Sequence, residues 1–281
     1  MKIGITGATG QLGRLVVEKL KERTSADSLV ALVRNPEKAS DLGIEGRAFD
    51  YNESAELAAS LNGIDHLLLI SSNEIGQRSI QHQNVIHAAK EAGVKWIVYT
   101  SLLHADTSSL VLAEEHLATE EALAASGIAY TILRNGWYTE NYTASIPGAL
   151  AGGALIGSAA EGKIASATRT DYAEAAAVVL IDQSHSGKVY ELAGDTAYTL
   201  ADLAAEISLQ TGKEIPYRNL SEADYAEALK GFGLPGGVAA MYASFDVGAA
   251  NNDLYDDSRQ LSALIGHPTT SLTEAVKEAL A

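Results

Sequence analysis

The chain contains no cysteine. That excludes disulfides, thiolate nucleophiles and cysteine-ligated metals, and it fits a reducing compartment. Positive charge is scarce: 20 Lys and Arg stand against 36 Asp and Glu, for a formal charge of −16. A surface of that sign repels phosphate backbones and anionic lipid, so neither nucleic acid nor a membrane is an expected partner. No apolar run approaches the ~18 residues that a membrane-spanning helix needs. With a strand candidate opening at residue 2, no signal peptide is expected, and the expected location is the cytoplasm. The histidines at 66, 82, 87, 104, 116, 185 and 267 show neither H-x-H nor H-E-x-x-H spacing. Asp253, Asp256 and Asp257 lack the ligand ladder of a calcium loop and read as a charged helix start. No metal is expected, and there are neither internal repeats nor low-complexity linkers.

What is present is a chain of 281 residues, 47 % apolar and 20 % charged, enough for one large domain or two packed lobes. Its first two thirds alternate short apolar runs with helical patterns. Strands are expected at 2–6, 29–33, 46–50, 65–70, 95–100 and 129–134. Runs such as LLLI (67–70) and WIVY (96–99) are continuously apolar rather than alternating, the mark of strands covered on both faces. Leu12, Val16 and Leu20 share one helical face, and so do Leu110, Ala113 and Leu117. This rhythm predicts an α/β fold with a doubly wound parallel sheet. After residue 134 the rhythm breaks. Gly- and Ala-rich segments (148–162) precede a helix from about Asp171 and a strand within 187–194. TLAD after Thr199, SEAD at 221–224 and SLTE at 271–274 mark further helix starts, and GFGLPGG at 231–237 reads as a hinge or lid.

The stretch TGATGQLG (6–13) sets Gly7, Gly10 and Gly13 between the first strand and an amphipathic helix. Such a turn aims the free N–H groups of a helix N-terminus at an anion, in keeping with the helix dipole. The spacing G-x-x-G-x-x-G differs from the commoner G-x-G-x-x-G, but its place between strand and helix predicts a dinucleotide pyrophosphate. An acid at the end of the second strand would accept bonds from an NAD ribose. That strand ends instead in Arg34, Asn35 and Pro36. A guanidinium there suits a 2′-phosphate and predicts NADPH. Other contacts are expected at the ends of later strands, around Asp50–Tyr51, Ser71–Asn73 and Thr100–Leu102.

A tyrosine with a lysine four residues later delivers the proton in ordinary short-chain dehydrogenases. The corresponding helical stretch, SSLVLAEEHLATEEALAASG, contains neither. His116 and Glu120 share that spacing and read as a solvated surface pair. Reducing an isolated ketone without an acid leaves a strongly basic alkoxide, whereas a quinone yields a delocalised, weaker base that water can protonate. The absence therefore suits a quinone-like acceptor, with catalysis supplied mainly by positioning. In RNGWYTENY (134–142), Trp137, Tyr138 and Tyr142 offer flat surfaces for such an acceptor, and Asn135 and Asn141 can bond amide or carbonyl groups.

TGATGQLG, VRNP (33–36), LLLISS (67–72), YTSLLHADTS (99–108), RNGWYTENY, GKIASATRTDYA (162–173) and KVYELAGD (188–195) together resemble the NADPH:quinone oxidoreductases of the second bacterial type. These belong to the NmrA-like branch of the atypical short-chain dehydrogenases. The similarity continues through NLSEADYAEALK (219–230), FGLP (232–235) and LIGHPTTSL (264–272). The resemblance implies two-electron reduction of quinones by NADPH, without flavin or metal, on a Rossmann core with a small, mostly helical C-terminal lobe. The core would be 1–134 completed by about 162–195, and the substrate lobe 135–161 with 196–281. The pyrophosphate would lie against Gly7, Thr9, Gly10, Gln11 and Leu12, and the 2′-phosphate on Arg34. The ribose side would fall to Ser71, Ser72, Asn73, Glu74 and Ile75, with Asn73 standing where the resemblance leads one to expect a serine. The nicotinamide side would fall to Asn135, Gly136, Trp137, Tyr138, Thr139 and Glu140, with Arg169 facing the cofactor. The competing expectation is a redox sensor of the NmrA type, which binds the dinucleotide and acts through a protein partner without turnover.

Overall fold

The computed structural model describes all 281 residues. In chain order it contains β1 (Ile3–Thr6), α1 (Gln11–Lys21), β2 (Leu29–Val33), β3 (Glu45–Ala48), α2 (Ser54–Ser60), β4 (His66–Leu69), α3 (Arg78–Glu91), β5 (Trp96–Leu102), α4 (Ala113–Ser126) and β6 (Ala129–Asn135). There follow α5 (Thr139–Thr143), α6 (Ile146–Gly152), β7 (Leu155–Gly157), α7 (Arg169–Ile181), β8 (Val189–Leu192), α8 (Leu200–Thr211), β9 (Tyr217–Asn219), α9 (Glu222–Gly231), α10 (Gly236–Ala250), α11 (Gln260–Ile265) and α12 (Leu272–Ala279).

The continuously apolar runs become the central strands of one sheet, ordered β3-β2-β1-β4-β5-β6-β8. β1 to β6 pair in parallel, with Ile5 opposite both Ala31 and Leu68, and Leu68 opposite Val98. Every residue of β1, β2, β4 and β5 is buried. Val30, Leu32, Leu67, Leu69, Ile97 and Tyr99 point to one face, where they meet Leu57, Val85, Ile86, Ala89 and Leu123 of α2, α3 and α4. α1 and α7 pack together. The doubly wound parallel sheet expected from the sequence is what forms, with strand bounds shifted by one or two residues. The edge strand β3 is exposed and charged, with Glu45 accepting from both Lys2 Nζ (2.9 Å) and Arg47 Nε (2.7 Å). Charge of this kind guards an open sheet edge.

The chain divides into two compact units. The first holds Met1–Asp106, Leu112–Asn135 and Arg169–Glu191; the second holds Thr107–Val111, Gly136–Thr168 and Leu192–Ala281. In the second unit Thr199 and Asp202 close a capping box at α8, and Ser271 and Glu274 close one at α12. Ser221 caps α9 through Asp224 N–H. Two features depart from the sequence reading. β7 and β9 pair in parallel, Leu155 opposite Tyr217, as three-residue strands too short to show a period. The acids 253–257 do not begin a helix, since α11 opens only at Gln260. Asp253 accepts Ser109 N–H (3.1 Å) and Asp256 accepts Ser258 N–H (2.9 Å), so both serve loop backbone. Of the stretch 231–237, residues 232–235 form the connection from α9 to α10, with Gly233 at φ +93°.

Gly13 is set by contact rather than by dihedral. A Cβ on Gly13 would lie 2.3 Å from the Gly7 carbonyl oxygen and 2.7 Å from Ala8 Cα, both backbone atoms that cannot swing aside. Gly13→Ala should therefore destabilise the chain by about 3 kcal/mol, or roughly 6–12 °C in Tm. Gly148→Ala, where a Cβ meets nothing within 4 Å, should leave Tm unchanged or slightly raised. Thermal melts of the two variants test this.

Candidate functional site

β1 delivers the chain to Gly7, whose φ of +59° is a left-handed conformation that glycine adopts without strain. Gly7 N–H reaches the Leu32 carbonyl (3.0 Å), and Gly10 N–H closes on the Gly7 carbonyl (2.8 Å). The turn is thereby folded flat against the start of α1. Gly10 is the N-cap of that helix, brings no side chain to its open N–H groups, and is followed by no acid in the first turn. Gln11 and Leu12 thus present free N–H groups at the positive end of a helix dipole, a cradle suited to a pyrophosphate. Thr9 stands in the turn, with its carbonyl held by Arg14 Nε (3.3 Å).

Arg34 leaves the end of β2 with its side chain 70 % exposed, 3.5 Å from Glu74 Oε1. So exposed a pair is worth at most about 1 kcal/mol, and the guanidinium remains available to a phosphate dianion. Glu74 belongs to the segment after β4, which is tied down residue by residue. Ser71 N–H bonds Thr100 Oγ1 (2.9 Å), Ser72 N–H bonds His82 Nε2 (2.9 Å), and Arg78 Nε donates to the Ser72 carbonyl (2.8 Å). Glu74 N–H returns to Ser72 Oγ (3.1 Å), Ile75 N–H to the Asn73 carbonyl (3.2 Å), and Gly76 N–H reaches Glu115 Oε1 (3.1 Å). Burial, reinforced by the charge of Arg78, pushes the His82 pKa down to about 3. The ring is therefore neutral, with Nε2 the acceptor and Nδ1 left to face Thr119 Oγ1 (3.0 Å). His82 was accessible to sequence reading through its spacing from Val85, Ile86 and Ala89, which places it on the core stripe of α3.

The reading of His116 and Glu120 as a solvated pair is overturned, since both are buried, at 5 % and 7 % exposure. The inward face of α4 is Ala113, His116, Thr119, Glu120 and Leu123; Leu110 is buried ahead of the helix, and Leu117 is only half-buried. His116 Nδ1 meets the Tyr99 hydroxyl (2.7 Å). Glu120 accepts from Ser101 Oγ (2.5 Å) and, through both oxygens, from Arg134 Nε (3.0 Å) and Nη2 (2.7 Å). Arg134 Nη1 also meets Glu191 (2.8 Å) and Asp106 (3.1 Å), and Glu191 Oε2 accepts His104 N–H (2.9 Å). Sequence reading assigns these polar residues to solvent because their partners, Tyr99 on β5 and Arg134 on β6, lie on other elements.

Asn135, next in the chain, is 5 % exposed. Its backbone carbonyl takes Leu103 N–H (3.0 Å), while its side-chain Oδ1 is buried with no hydrogen-bond partner. An orphaned amide oxygen of this kind fits a ligand N–H such as a carboxamide. The glycine turn, Arg34, Ser71–Ile75 and Asn135 thus all stand at the carboxyl ends of β1, β2, β4 and β6, the customary edge for nucleotides. Arg169 opens α7. Gly136, Trp137, Tyr138, Thr139, Glu140 and Tyr142 belong to the second unit. There Tyr138 bridges to Ala167, Thr139 N–H bonds the Ala167 carbonyl (2.9 Å), and Thr139 Oγ1 meets Ser166 Oγ (2.8 Å). The Trp137 ring meets Phe245 edge-on at 5.2 Å, Phe245 meets Tyr242 at 5.9 Å, and Tyr142 meets Tyr198 at 6.5 Å.

A family model for NAD(P)H-binding proteins matches residues 7–183. The chain belongs to that NAD(P)H-binding family. It is 61 % identical over 277 residues to Quinone oxidoreductase 2 of Escherichia coli, covering 98 % of this chain and 97 % of that one. The crystal structure of the NADPH-dependent quinone oxidoreductase from Escherichia coli complexed with NADPH matches with a TM-score of 0.97 at 60 % identity, over 99 % of this chain and 100 % of that chain. The triphenylmethane reductase of Citrobacter sp. complexed with NADP(H) matches with a TM-score of 0.96 at 37 % identity, over 99 % and 100 %.

Within this NAD(P)H-binding fold the buried cluster on α4 makes a strong demand. Arg134→Met strands the Glu120 carboxylate without its bidentate partner and should cost about 3–5 kcal/mol. Adding Glu120→Leu should recover part of that loss, while Glu121→Ala, on the exposed face of the same helix, should stay within about 0.5 kcal/mol of the parent. Denaturant titration of the set reads the coupling.

Proposed function

We propose that this chain catalyses the NADPH-dependent two-electron reduction of quinones to hydroquinones by direct hydride transfer, without flavin or metal. The 61 % identity to a quinone oxidoreductase over nearly the full chain is the observation that carries the substrate class. In this reading Gly7, Thr9, Gly10, Gln11 and Leu12 hold the pyrophosphate, and Arg34 holds the 2′-phosphate. Ser71 to Ile75 take the ribose side. The orphaned Asn135 oxygen accepts from the carboxamide, Gly136 to Glu140 continue along the nicotinamide, and Arg169 adds a cation. Trp137, Tyr138 and Tyr142 hold the flat acceptor. NADPH supplies the hydride, and with it both electrons.

The state of α4 supports an acceptor that does not demand a strong acid. Glu120 is bonded by Ser101 and twice by Arg134, and His116 is bonded to Tyr99. Burial holds the His116 pKa well below its ordinary value, so this imidazole carries no spare proton near neutrality. Neither group can serve an alkoxide as the usual tyrosine would. A quinone gives a product anion weak enough to be protonated from water, and orientation of the reacting partners then supplies most of the rate.

The test is the loss of NADPH absorbance with and without 1,4-benzoquinone, repeated with NADH. Quinone-dependent oxidation that prefers NADPH is expected. Arg34→Glu should raise the KM for NADPH by about tenfold or more, as expected for losing a charged hydrogen bond, while NADH is spared. Tight NADPH binding without turnover on any quinone would replace this reading with that of a dinucleotide sensor.

A further inference from the structure

Asp246 of α10 is a carboxylic acid placed where an acid is expensive. It is 6 % exposed, and its Oδ2 accepts Ser158 N–H (2.8 Å). Oδ2 is packed so closely on β7 that a Cβ on Gly157 would fall 2.7 Å from it. Oδ1 accepts no hydrogen bond within the chain, and no lysine, arginine or histidine pairs with the carboxyl. Around it stand phenols: its charge is felt by Tyr142 of α5, Tyr217 of β9 and Tyr225 of α9. Tyr217 Oη is engaged, with Ala159 N–H and Asn219 Oδ1. The hydroxyls of Tyr142 and Tyr225 have no partner in the chain. Tyr242, which also acts on Tyr225, leads through Phe245 to the Trp137 ring. Three polar groups without protein partners, carried by half-buried or buried side chains beside the Tyr242–Phe245–Trp137 aromatic wall, are thus open to a ligand.

We infer that Asp246, with the hydroxyls of Tyr142 and Tyr225, forms the carbonyl-recognition site for the acceptor and that Asp246 delivers a proton to the acceptor oxygen. This deepens the quinone reading above and rests on it. Conversion of a quinone to a hydroquinone adds one hydride and one proton. The carboxyl O–H bond breaks, a new O–H bond forms on the acceptor oxygen, and the carboxylate left behind regains its proton from solvent. The two tyrosines donate hydrogen bonds that hold the carbonyl while this occurs. Burial raises the Asp246 pKa to about 6, opposed only by the Ser158 N–H bond, so a useful fraction of the group is protonated near neutrality. Because water can also protonate the product, the acid adds to the rate rather than making it possible.

The experiment compares the wild-type chain with Asp246→Asn, which keeps an acceptor for Ser158 N–H, and with Tyr225→Phe. With 1,4-benzoquinone, wild-type kcat/KM should fall as pH rises through about 6. Asp246→Asn should be about tenfold slower at pH 6 and lack that limb, while Tyr225→Phe should raise the KM for the quinone with the limb intact. NADPH binding, followed by its fluorescence, should be the same in all three. A further readout is independent of turnover. The raised pKa means that the Asp246 contribution to stability is full below the ordinary carboxyl range and lost as pH rises through about 6. The Tm of Asp246→Asn should therefore gain on wild type between pH 5 and pH 8. Wild-type rates and an unaltered pH profile in Asp246→Asn would overturn this proposal and leave the quinone reading standing. Absence of quinone-dependent oxidation in the wild-type chain at every pH would overturn both.

Discussion

A parallel sheet buried on both faces must end somewhere, and where it ends the last backbone N–H and C=O groups lose their ladder partners while still out of water. The carboxyl edge of this sheet is organised around that constraint. Thr6 Oγ1 accepts Ile70 N–H, and the Tyr51 hydroxyl bridges Thr6 Oγ1 and the Ile70 carbonyl. Thr100 takes Ser71 N–H, His82 takes Ser72 N–H, and Arg78 satisfies the Ser72 carbonyl. Buried side chains thereby do for the strand ends what neighbouring strands do within the sheet. The α1 terminus, where Gly10 carries no side chain, and the Asn135 amide oxygen are among the groups left open, and both suit parts of a dinucleotide.

Satisfying an edge with charges has a cost. Arg134 and Glu120 are both taken out of water, and replacing such a pair with hydrophobic residues is often neutral or better for stability. What the pair does is fix geometry. A guanidinium that also meets Glu191 and Asp106 joins the ends of β5, β6 and β8 and the His104 turn into one unit, and occupies both Glu120 oxygens. The helix that carries the proton donor in ordinary short-chain dehydrogenases has become scaffold.

Much of the sheet was legible because covered strands write themselves as unbroken apolar runs, and the glycine turn was legible because its backbone geometry excludes other residues. The position of Arg34 just after β2 could be read as well. Glu120 and His116 could not, because a polar residue on a helix looks solvated until its partner is known, and the partners here are Arg134, 14 residues on along the chain from Glu120, and Tyr99, 17 residues back from His116. β7 and β9 escaped because three residues cannot display a period. Asp246 escaped for a different reason: nothing local marks a buried acid whose neighbours come from α5, β9 and α9.

The net charge of −16 sits awkwardly with a polyanionic cofactor. Ionic screening resolves most of this, since at physiological salt the Debye length is about 8 Å and distant carboxylates act weakly on a phosphate held at the surface. Near charges still count. Glu74, 3.5 Å from Arg34, competes for the same guanidinium that a 2′-phosphate would use. The pyrophosphate position proposed above would avoid this contest: it would rely on backbone N–H groups and a helix dipole, which need no counter-charge of their own and cannot be neutralised by a neighbouring carboxylate. In an acidic chain, anchoring the cofactor through peptide groups and reserving one exposed arginine for discrimination, as proposed above, would separate affinity from choice of cofactor.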